Sequence, residues 1–433
     1  MPEPRPAPEL PGHYFRHEFG RLVSVLSRRF GVRSLELCED AAQTALLRAV
    51  QAWPQSGIPS DKGAWLYRVA KNHVLDALRH DKRGERILSA LESGQEESQG
   101  GPEIPLRSEI TDDLLRLLFV CADGAIPCES QLVLALKILC GFSTEEIALR
   151  LFQGEEATHK RLQRARSVLR ERAVELDTPV VAELAERLPA VLHVLYLLFN
   201  EGYSSAQPDT LIRRELCEEA VRLALLLVEH PVGATPESYA LLSLMYLHAA
   251  RFDARVDGAG GLLVLEEQDR SRWDRELIGL GLSFLERAAR GECLSRYHVE
   301  AAIAVEHCLS PSYQETRWGE IARLYEALDR LAPSPLNTLN RAIAIAEWQG
   351  PQAGLALLYA LKPPGWLLGY YLWDATLGEL HRRGGDRERA LQHLTRALDA
   401  APTHAEKALL RRRMGALDAV RQATPRGSEL TVE

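Results

Sequence analysis

Residues 143–170 have the sequence STEEIALRLFQGEEATHKRLQRARSVLR, whose pattern indicates two helices separated by a turn. Ser143 stands three residues before Glu146, the spacing at which two such side chains cap a helix start reciprocally. Ile147 and Leu151 then share the inward face of a short helix, and a Phe-Gln-Gly run forms a turn. A second helix follows, with carboxylates in its first turn, where they interact favourably with the helix dipole. The pattern predicts a helix-turn-helix.

The second helix of this motif is strongly basic. Its inward face consists of Leu162, Ala165 and Leu169. The stretch 158–172 contains six basic residues and one acidic residue, namely Lys160, Arg161, Arg164, Arg166, Arg170, Arg172 and Glu171. Such a helix in the major groove offers cations to phosphates and to guanine edges. A solvated Arg-rich face is the alternative, but the capped helix, the short turn and the basic helix in sequence favour DNA binding.

Residues 64–83, AWLYRVAKNHVLDALRHDKR, form another amphipathic pattern. One stripe is apolar and is predicted to pack inward, with Leu66, Val69, Ala70, Val74, Ala77 and Leu78. The other face combines an aromatic ring and an amide with cations, at Trp65, Arg68, Lys71, Asn72 and Arg79. These side chains suit stacking on, and hydrogen bonding to, unpaired bases. A lone Trp is about as often a core residue.

The composition of the 433-residue chain favours helices throughout. Leu, Ala, Arg and Glu dominate, and because these residues lose little rotamer freedom in a helix we expect an all-α protein. The net charge of the whole chain is −8, although the predicted helix within residues 158–172 is locally basic. The seven cysteines are scattered without zinc-ligand spacing, and no apolar run reaches the length of a membrane span. We therefore expect a cytoplasmic protein without membrane contact.

Composition also divides the chain into modules. The stretch from about 89 to 105 is rich in Ser, Gln, Glu and Gly and cannot bury enough apolar surface to order itself, which predicts a flexible linker. A long helical array begins near residue 180. The predicted divisions are a Pro-rich tail at 1–12, a helical domain at 13–86, a linker at 87–111, the helix-turn-helix domain at 112–175, a helical-repeat domain at 180–420 and a tail at 421–433.

The helical array contains a repeat-like segment. Residues between Trp373 and Pro402 have the spacing of tetratricopeptide repeats, in which two antiparallel helices approach closely at small residues. These positions are Leu377, Gly378, Gly385, Ala390, Leu394 and Ala397. A weaker copy lies at 340–350. Stacked pairs of this kind present a concave surface suited to a peptide or a partner protein.

These motifs, in this order, resemble those of extracytoplasmic-function (ECF) RNA polymerase sigma factors, in the subgroup with a C-terminal tetratricopeptide-like extension. The segment 64–83 is similar to the family's promoter-melting helix. Residues 38–49, CEDAAQTALLRA, resemble the helix that grips the polymerase clamp, although Leu46 stands where an aromatic residue is commoner. The helix-turn-helix takes the place of the −35-reading module.

The resemblance implies three sets of site residues. Contacts to core polymerase are expected from Glu39, Asp40, Gln43, Leu46 and Leu47. Opening and reading of the −10 element are expected from Trp65, Arg68, Lys71, Asn72 and Arg79. Reading of the −35 element is expected from Thr158, His159, Lys160, Arg161, Arg164 and Arg166.

Three segments of the C-terminal array, at 194–205, 249–258 and 265–274, resemble blocks of the same subgroup and cluster opposite charges beside apolar runs. Two interpretations stay open: a structural ion-pair network between helices, or a site for a ligand or partner. The candidate residues are Asn200, Glu201, Tyr203, Asp253, Arg255, Glu266, Glu267, Asp269, Arg270 and Trp273.

The sequence thus predicts a sigma factor with two small helical domains, a flexible linker between them, and a helical-repeat domain that controls them in cis. Its expected partners are core RNA polymerase and promoter DNA, with an unidentified protein or small-molecule effector on the C-terminal domain as a further candidate. No metal-ligand pattern, phosphate loop or nucleophile motif occurs, so we expect no catalysis, metal or cofactor. The alternatives are a helix-turn-helix activator with a tetratricopeptide sensor, and a tetratricopeptide scaffold without a DNA role, which leaves the basic helix unexplained.

Overall fold

The architecture is nearly all helical, as predicted. The structure is a computed structural model that describes residues 12–80, 106–151, 153–171, 181–204, 212–258 and 261–423. The predicted N-terminal tail up to residue 11, the linker up to residue 105 and the last ten residues lie outside these ranges. The chain forms two compact units, residues 1–201 with 215–234 and residues 202–214 with 235–433. No helix in the described ranges is long and apolar enough to cross a membrane.

The first unit is built from nine described helices. These are α1 (Gly12–Phe30), α2 (Leu35–Ser56), α3 (Lys62–His80), α4 (Leu106–Cys121), α5 (Cys128–Cys140), α6 (Thr144–Arg150), α7 (Glu155–Glu171), α8 (Val181–Tyr203), whose last two residues belong to the second unit, and α9 (Arg214–Glu229), whose first residue also belongs to the second unit. A short 3-10 turn, Val32–Ser34, joins α1 to α2. Helix α4 begins at Leu106, inside the stretch predicted as linker.

Helices α1, α2 and α3 pack on one another through the faces that periodicity predicts. Leu66, Ala70 and Val74 of α3 are fully buried, and Leu78 is nearly so. Val69 and Ala77 are half-buried at the edge of the same stripe. The stripe of α3 therefore faces inward and leaves its polar side on the surface.

The helix-turn-helix forms as the sequence predicts. Ser143 Oγ accepts a hydrogen bond from the backbone N–H of Glu146 at 3.0 Å, and the Glu146 carboxylate accepts one from the N–H of Ser143 at 2.7 Å. This reciprocal cap fixes the start of α6. On α7, Leu162, Ala165 and Leu169 are buried. These three buried residues form the inward face of α7 that periodicity predicts.

The boundary between the two units differs from the predicted division at residue 180. Arg187 of α8 donates hydrogen bonds to the Asp123 carboxylate at 2.8 Å and to the carbonyl oxygen of Phe119 at 3.2 Å. Both the Arg187 and Asp123 side chains are largely buried. This ion pair, which sequence patterns do not reveal, binds α8 to the end of α4 and so places it in the first unit.

The second unit is an array of helix pairs. Its helices are α10 (Pro236–Ala249), α11 (Arg275–Ala288), α12 (Arg296–Leu309), α13 (Trp318–Leu331), α14 (Pro335–Gln349), α15 (Pro351–Ala360), α16 (Gly365–Leu368), α17 (Tyr371–Arg383), α18 (Arg387–Ala400) and α19 (His404–Ala423). Between α10 and α11 the chain makes three short 3-10 turns and one isolated antiparallel bridge, from Val256 to Leu262.

Small residues bring paired helices of this array close together. A Cβ atom at Gly378 of α17 would lie 2.8 Å from Cγ of Leu394 on α18. At Gly354 of α15 it would lie 2.6 Å from the carbonyl oxygen of Ala342 on α14. Because real side chains do not tolerate such distances, Gly at these positions sets how closely the pairs approach.

Candidate polymerase and DNA interfaces

Helix α2 presents an exposed surface that mixes acidic, amide and apolar side chains. Asp40 and Gln43 are exposed, Leu46 is half-buried, and Leu47 is 63% exposed. Val50, one turn further along, is also exposed. Exposed large apolar side chains beside polar groups are typical of protein-binding surfaces. Four of the five residues predicted to contact polymerase therefore lie on or at the edge of one accessible face.

Glu39, the fifth of these residues, has a different environment. Its side chain is 4% exposed and its carboxylate lies 2.6 Å from a guanidinium nitrogen of Arg166 on α7. Burial raises the pKa of Glu39, and the positive charge of Arg166 opposes that shift. In this structure Glu39 is part of an internal ion pair rather than of the exposed face of α2.

Helix α3 presents the second predicted surface. Arg68, Asn72 and Arg79 are exposed, whereas Trp65 and Lys71 are half-buried. The Trp65 ring contacts Trp53 of α2 edge-on, with centroids 5.5 Å apart. Fixing the ring in this way removes part of the entropic cost of stacking on a base.

Lys71 lies close to a second cation. Its pKa is lowered, first by partial burial and then by the positive charge of Arg29 on α1. Two neighbouring cations suit a phosphate, which would relieve their repulsion. The exposed row on α3 and this pair of cations together form a surface able to hold a nucleic-acid strand.

The residues predicted to read DNA from α7 fall into two groups. His159, Lys160 and Arg164 are exposed. Thr158 is fully buried, and its hydroxyl donates to the carbonyl oxygen of Gly154 at 3.1 Å, so it supports the helix start instead of facing solvent. Arg161 is half-buried in an ion pair with Glu129 of α5.

Arg166 is 14% exposed and contacts two carboxylates of α2, Glu39 at 2.6 Å and Glu36 at 3.6 Å. One turn further, Arg170 lies 3.1 Å from Glu36. Sequence reasoning missed Glu36 and Arg170 as members of this group. Their spacing is a signal that could have been used, because acids three residues apart and arginines four residues apart each form a row on one helix face.

Most of the charged candidates in the second unit have structural partners. Arg270 is buried and donates to the carbonyl oxygens of His307 at 2.9 Å and Ser310 at 2.6 Å and to Oγ1 of Thr316 at 2.9 Å. Its guanidinium also lies 5.0 Å from the centre of the Trp273 ring. These contacts fasten the chain between α10 and α11 to the end of α12.

The same holds for the neighbouring candidates. Arg255 stacks over the Tyr203 ring at 3.8 Å and donates to the Tyr203 carbonyl oxygen. Glu267 pairs with Arg412 of α19 at 2.8 Å. Further partners are Arg214 for Asp253 and Ser271 for Asp269, whose hydroxyl and N–H lower the pKa of the Asp269 carboxyl. These contacts favour the structural interpretation of the cluster.

The three other candidates are Asn200, Glu201 and Glu266. Asn200 and Glu201 lie on α8 in the first unit, the former half-buried and the latter buried. Glu266 is exposed and, of the ten candidates, it alone lines a cavity of about 360 Å³ in the second unit, whose walls include Tyr313, Trp318 and Tyr371. No group of three or more His, Cys, Asp or Glu residues in the described ranges is arranged to hold a metal ion.

Two family models match parts of this chain. Residues 15–84 match the Sigma-70 region 2 family model, and residues 187–289 match a family of unknown function, DUF6596. "Uncharacterized protein R00370" of Rhizobium meliloti is 37% identical over 89% of this chain and 91% of its own length. "ECF RNA polymerase sigma factor SigL" of Mycobacterium tuberculosis is 31% identical over 30% of this chain and 72% of its own length. "Probable RNA polymerase sigma factor RfaY" of Xanthomonas campestris is 30% identical over 32% of this chain and 34% of its own length. No solved structure matches significantly.

Proposed function

Because this chain belongs to the family of ECF RNA polymerase sigma factors, we propose that it binds core RNA polymerase and directs it to specific promoters. The single observation that supports this best is that the Sigma-70 region 2 match, residues 15–84, coincides with α1, α2 and α3. These helices present both the mixed surface of α2 and the aromatic, amide and cationic row of α3. The proposed action is binding, without covalent chemistry.

We assign the surfaces as the sequence predicted. The face of α2 around Asp40, Gln43 and Leu47 contacts core polymerase. The polar and aromatic side chains of α3 between Trp65 and Arg79 open and read the −10 element. Trp65 and Asn72 contact unpaired bases. The exposed side of α7, at His159, Lys160 and Arg164, reads the −35 element from the major groove.

We further propose that the second unit is a tetratricopeptide-like regulatory domain that supports the first unit in cis. The glycine-mediated close approach within its helix pairs is the packing that such repeats use. About half of the chain lies in the second unit, outside the helices assigned to promoter reading. Arg255 and Arg270 are held by contacts inside this domain and so serve its architecture; an effector, if one binds, fits the cavity beside Glu266 better.

Run-off transcription with purified core polymerase tests the proposal. We expect a promoter-dependent transcript only when the chain is added. We also expect the double variant Asp40→Ala with Gln43→Ala to keep its helical content but no longer to co-purify with core polymerase. A chain that binds duplex DNA alone and never changes polymerase output would instead be a helix-turn-helix activator.

The role of the second unit needs a truncation that keeps the first unit intact. Because α8 and α9 pack in the first unit, the chain should end after Ala234 rather than directly after α7. Support in cis predicts a weaker transcript from the truncated chain. A stronger transcript would mean that the second unit inhibits, and equal transcripts would mean that it recruits another partner.

A further inference from the structure

The second unit contains a cavity of about 360 Å³ whose walls come from distant parts of the sequence. They include the segment 262–266 before α11, residues of α12, α13 and α14, and residues of α17 and α19. Sites for small molecules have volumes of about 300–1,000 Å³, so this cavity lies at the lower end of that range. It therefore suits a small organic molecule better than a folded partner.

Aromatic side chains form much of the cavity wall. Within the described ranges these are three tyrosines and one tryptophan, namely Tyr313, Tyr325, Tyr371 and Trp318. The Trp318 ring is held in place, since it contacts the Tyr313 ring edge-on at 5.0 Å between centroids and its Nε1–H donates to the Tyr313 carbonyl oxygen at 3.3 Å. Burial and the neighbouring Glu347 carboxylate raise the pKa of Tyr313, so its hydroxyl stays protonated. The wall thus offers a ligand preformed rings whose π-systems carry partial negative charge on their faces.

The charged side chains of the wall have a surplus of negative charge. In the described part of the chain they are four glutamates and two arginines, namely Glu266, Glu347, Glu379, Glu406, Arg383 and Arg413. Arg383 pairs with Glu347, and Arg413 lies 3.9 Å from Glu379. Glu379 also pairs at 2.7 Å with Arg382, which does not line the cavity. Even with Arg382 counted, the carboxylates outnumber the cations.

Glu266 lies on a backbone that is fixed on both sides, while its own carboxylate is available. The next residue, Glu267, pairs with Arg412 of α19 at 2.8 Å and accepts a hydrogen bond from the N–H of Val264 at 3.0 Å. The Glu266 side chain is exposed, and among the described residues it has no cationic partner within 4 Å. Its position is therefore set by the fold, and its charge remains for a ligand.

The wall also contains a buried carboxylate that only neutral groups contact. Glu406 accepts hydrogen bonds from the Tyr371 hydroxyl and from the N–H and hydroxyl of Thr403, at 3.1 and 2.8 Å for the latter two. A buried charge without a counter-charge is costly, and a bound cation would supply that counter-charge. Nearby, Nδ1 of His307 is buried without a hydrogen-bond partner in the described ranges. A neutral imidazole nitrogen can accept a hydrogen bond from an ammonium group.

We infer that this cavity binds a small organic cation, in which a protonated amine or quaternary ammonium group is attached to an apolar body. The positive group is balanced by Glu266 and Glu406, and the apolar body packs on Trp318 and the tyrosines of the wall. Aromatic rings attract such cations as well as burying apolar surface. The inference rests on the proposed function for what the ligand controls, but binding can be measured on the chain alone.

The test uses the full chain and three probes of nearly equal size, which are phenethylammonium, 2-phenylethanol and phenylacetate. Phenethylammonium is protonated at neutral pH, as a Lys side chain is. We expect it to bind about tenfold more tightly than the neutral alcohol, because the carboxylates and rings of the wall attract its charge. Phenylacetate should bind more weakly than either. Titrations followed by NMR of the probes give the three affinities.

Three variants assign the binding to this cavity. Glu266→Gln should weaken the binding of phenethylammonium about three- to fivefold and leave that of 2-phenylethanol unchanged, since an exposed charge contributes modestly. Glu292→Gln, at an exposed position between α11 and α12 and outside the wall, is the matched control and should change neither affinity. Asn340→Trp adds a large ring at an exposed position of the wall and should abolish the binding of both probes, with helical content as the check on folding.

Equal affinities of phenethylammonium and 2-phenylethanol for the native chain would overturn the inference. So would a preference for the cation that persists unchanged in Glu266→Gln or in a folded Asn340→Trp chain, because the probe would then bind elsewhere. The run-off assay separates these results from the proposed function. Selective binding by a chain that never supports a promoter-dependent transcript would leave the cation site standing while the sigma function fails, and a transcript without selective binding would do the reverse.

Discussion

Replacing Arg270 with Ala should loosen the second unit more than any exposed charge change. The guanidinium of Arg270 is buried between Trp273 and the end of α12, where it satisfies two backbone carbonyl oxygens and one hydroxyl. Truncation removes three charge-assisted hydrogen bonds at once. It also leaves the carbonyl oxygens of His307 and Ser310 without this donor.

The size of the effect follows from these contacts. A hydrogen bond to a charged group contributes about 1.5–3 kcal/mol net, and bonds sharing one donor group are not additive. The stacking on Trp273 adds about 1 kcal/mol. We therefore expect a loss of about 3–5 kcal/mol in the free energy of opening the second unit, close to what breaking a buried charged network costs elsewhere.

Hydrogen exchange of the amides in α12 measures this loss locally, which avoids treating a two-unit chain as a two-state system. At about 1.4 kcal/mol per tenfold change, protection should fall by about 100- to 4,000-fold. Arg272→Ala, at an exposed position in the same 3-10 turn, is the matched control and should change protection little. Equal protection in the native chain and in Arg270→Ala would refute the structural role of Arg270. Arg270 would then be a candidate ligand-binding residue.

Three more predictions follow from the described geometry. Asn72→Ala should reduce permanganate reactivity in the −10 bubble while leaving initial promoter binding nearly unchanged, and a normal bubble would contradict the role given to α3. Arg164→Ala should cost ~1–3 kcal/mol at one −35 base pair and relax preference there, whereas uniform weakening on all sequences would indicate phosphate contact alone. Burial and nearby arginines lower the pKa of His248 and of His307 from 6.5 to about 3, so both stay neutral when folded. As the pH falls, the unfolded chain therefore takes up protons before the folded chain does, so the contribution of these residues to stability is complete above pH 6.5. Between pH 6.5 and 5, each His should lower the free energy of unfolding by about 2 kcal/mol. Denaturant midpoints that do not move over this range would contradict this prediction.

Local patterns predicted local structure well. The cap of Ser143 with Glu146 and the inward stripe of α3 depend only on spacing within a helix, and both are present. The cationic composition of α7 was equally visible, but its division into exposed and paired side chains was not. Arg166 looks like Arg164 in sequence, and only the tertiary position of Glu39 separates their roles.

The same limit applies to the domain boundary and to the charged cluster of the second unit. No sequence pattern indicates that Arg187 of α8 pairs with Asp123, so periodicity alone predicts that α8 belongs to the C-terminal array. For Arg270, a sequence with opposite charges beside apolar runs is consistent with a structural ion-pair network and with a ligand site. The sequence cannot distinguish them, because a backbone carbonyl partner such as that of Ser310 can belong to any residue type. Partner choice in both cases depends on tertiary packing, which helical periodicity does not encode.

The ion pair between Glu267 and Arg412 has a consequence for biosynthesis. The two residues are 145 positions apart, so the growing chain needs ~7–30 s at ~5–20 residues per second to supply the partner of Glu267. During that interval the 3-10 segment before α11 has been synthesised but lacks its attachment to α19. Helices α2 and α7, in contrast, are both complete by Glu171, well before either of these residues is made. The contact between α7 and α2 can therefore form while the second unit is still being synthesised.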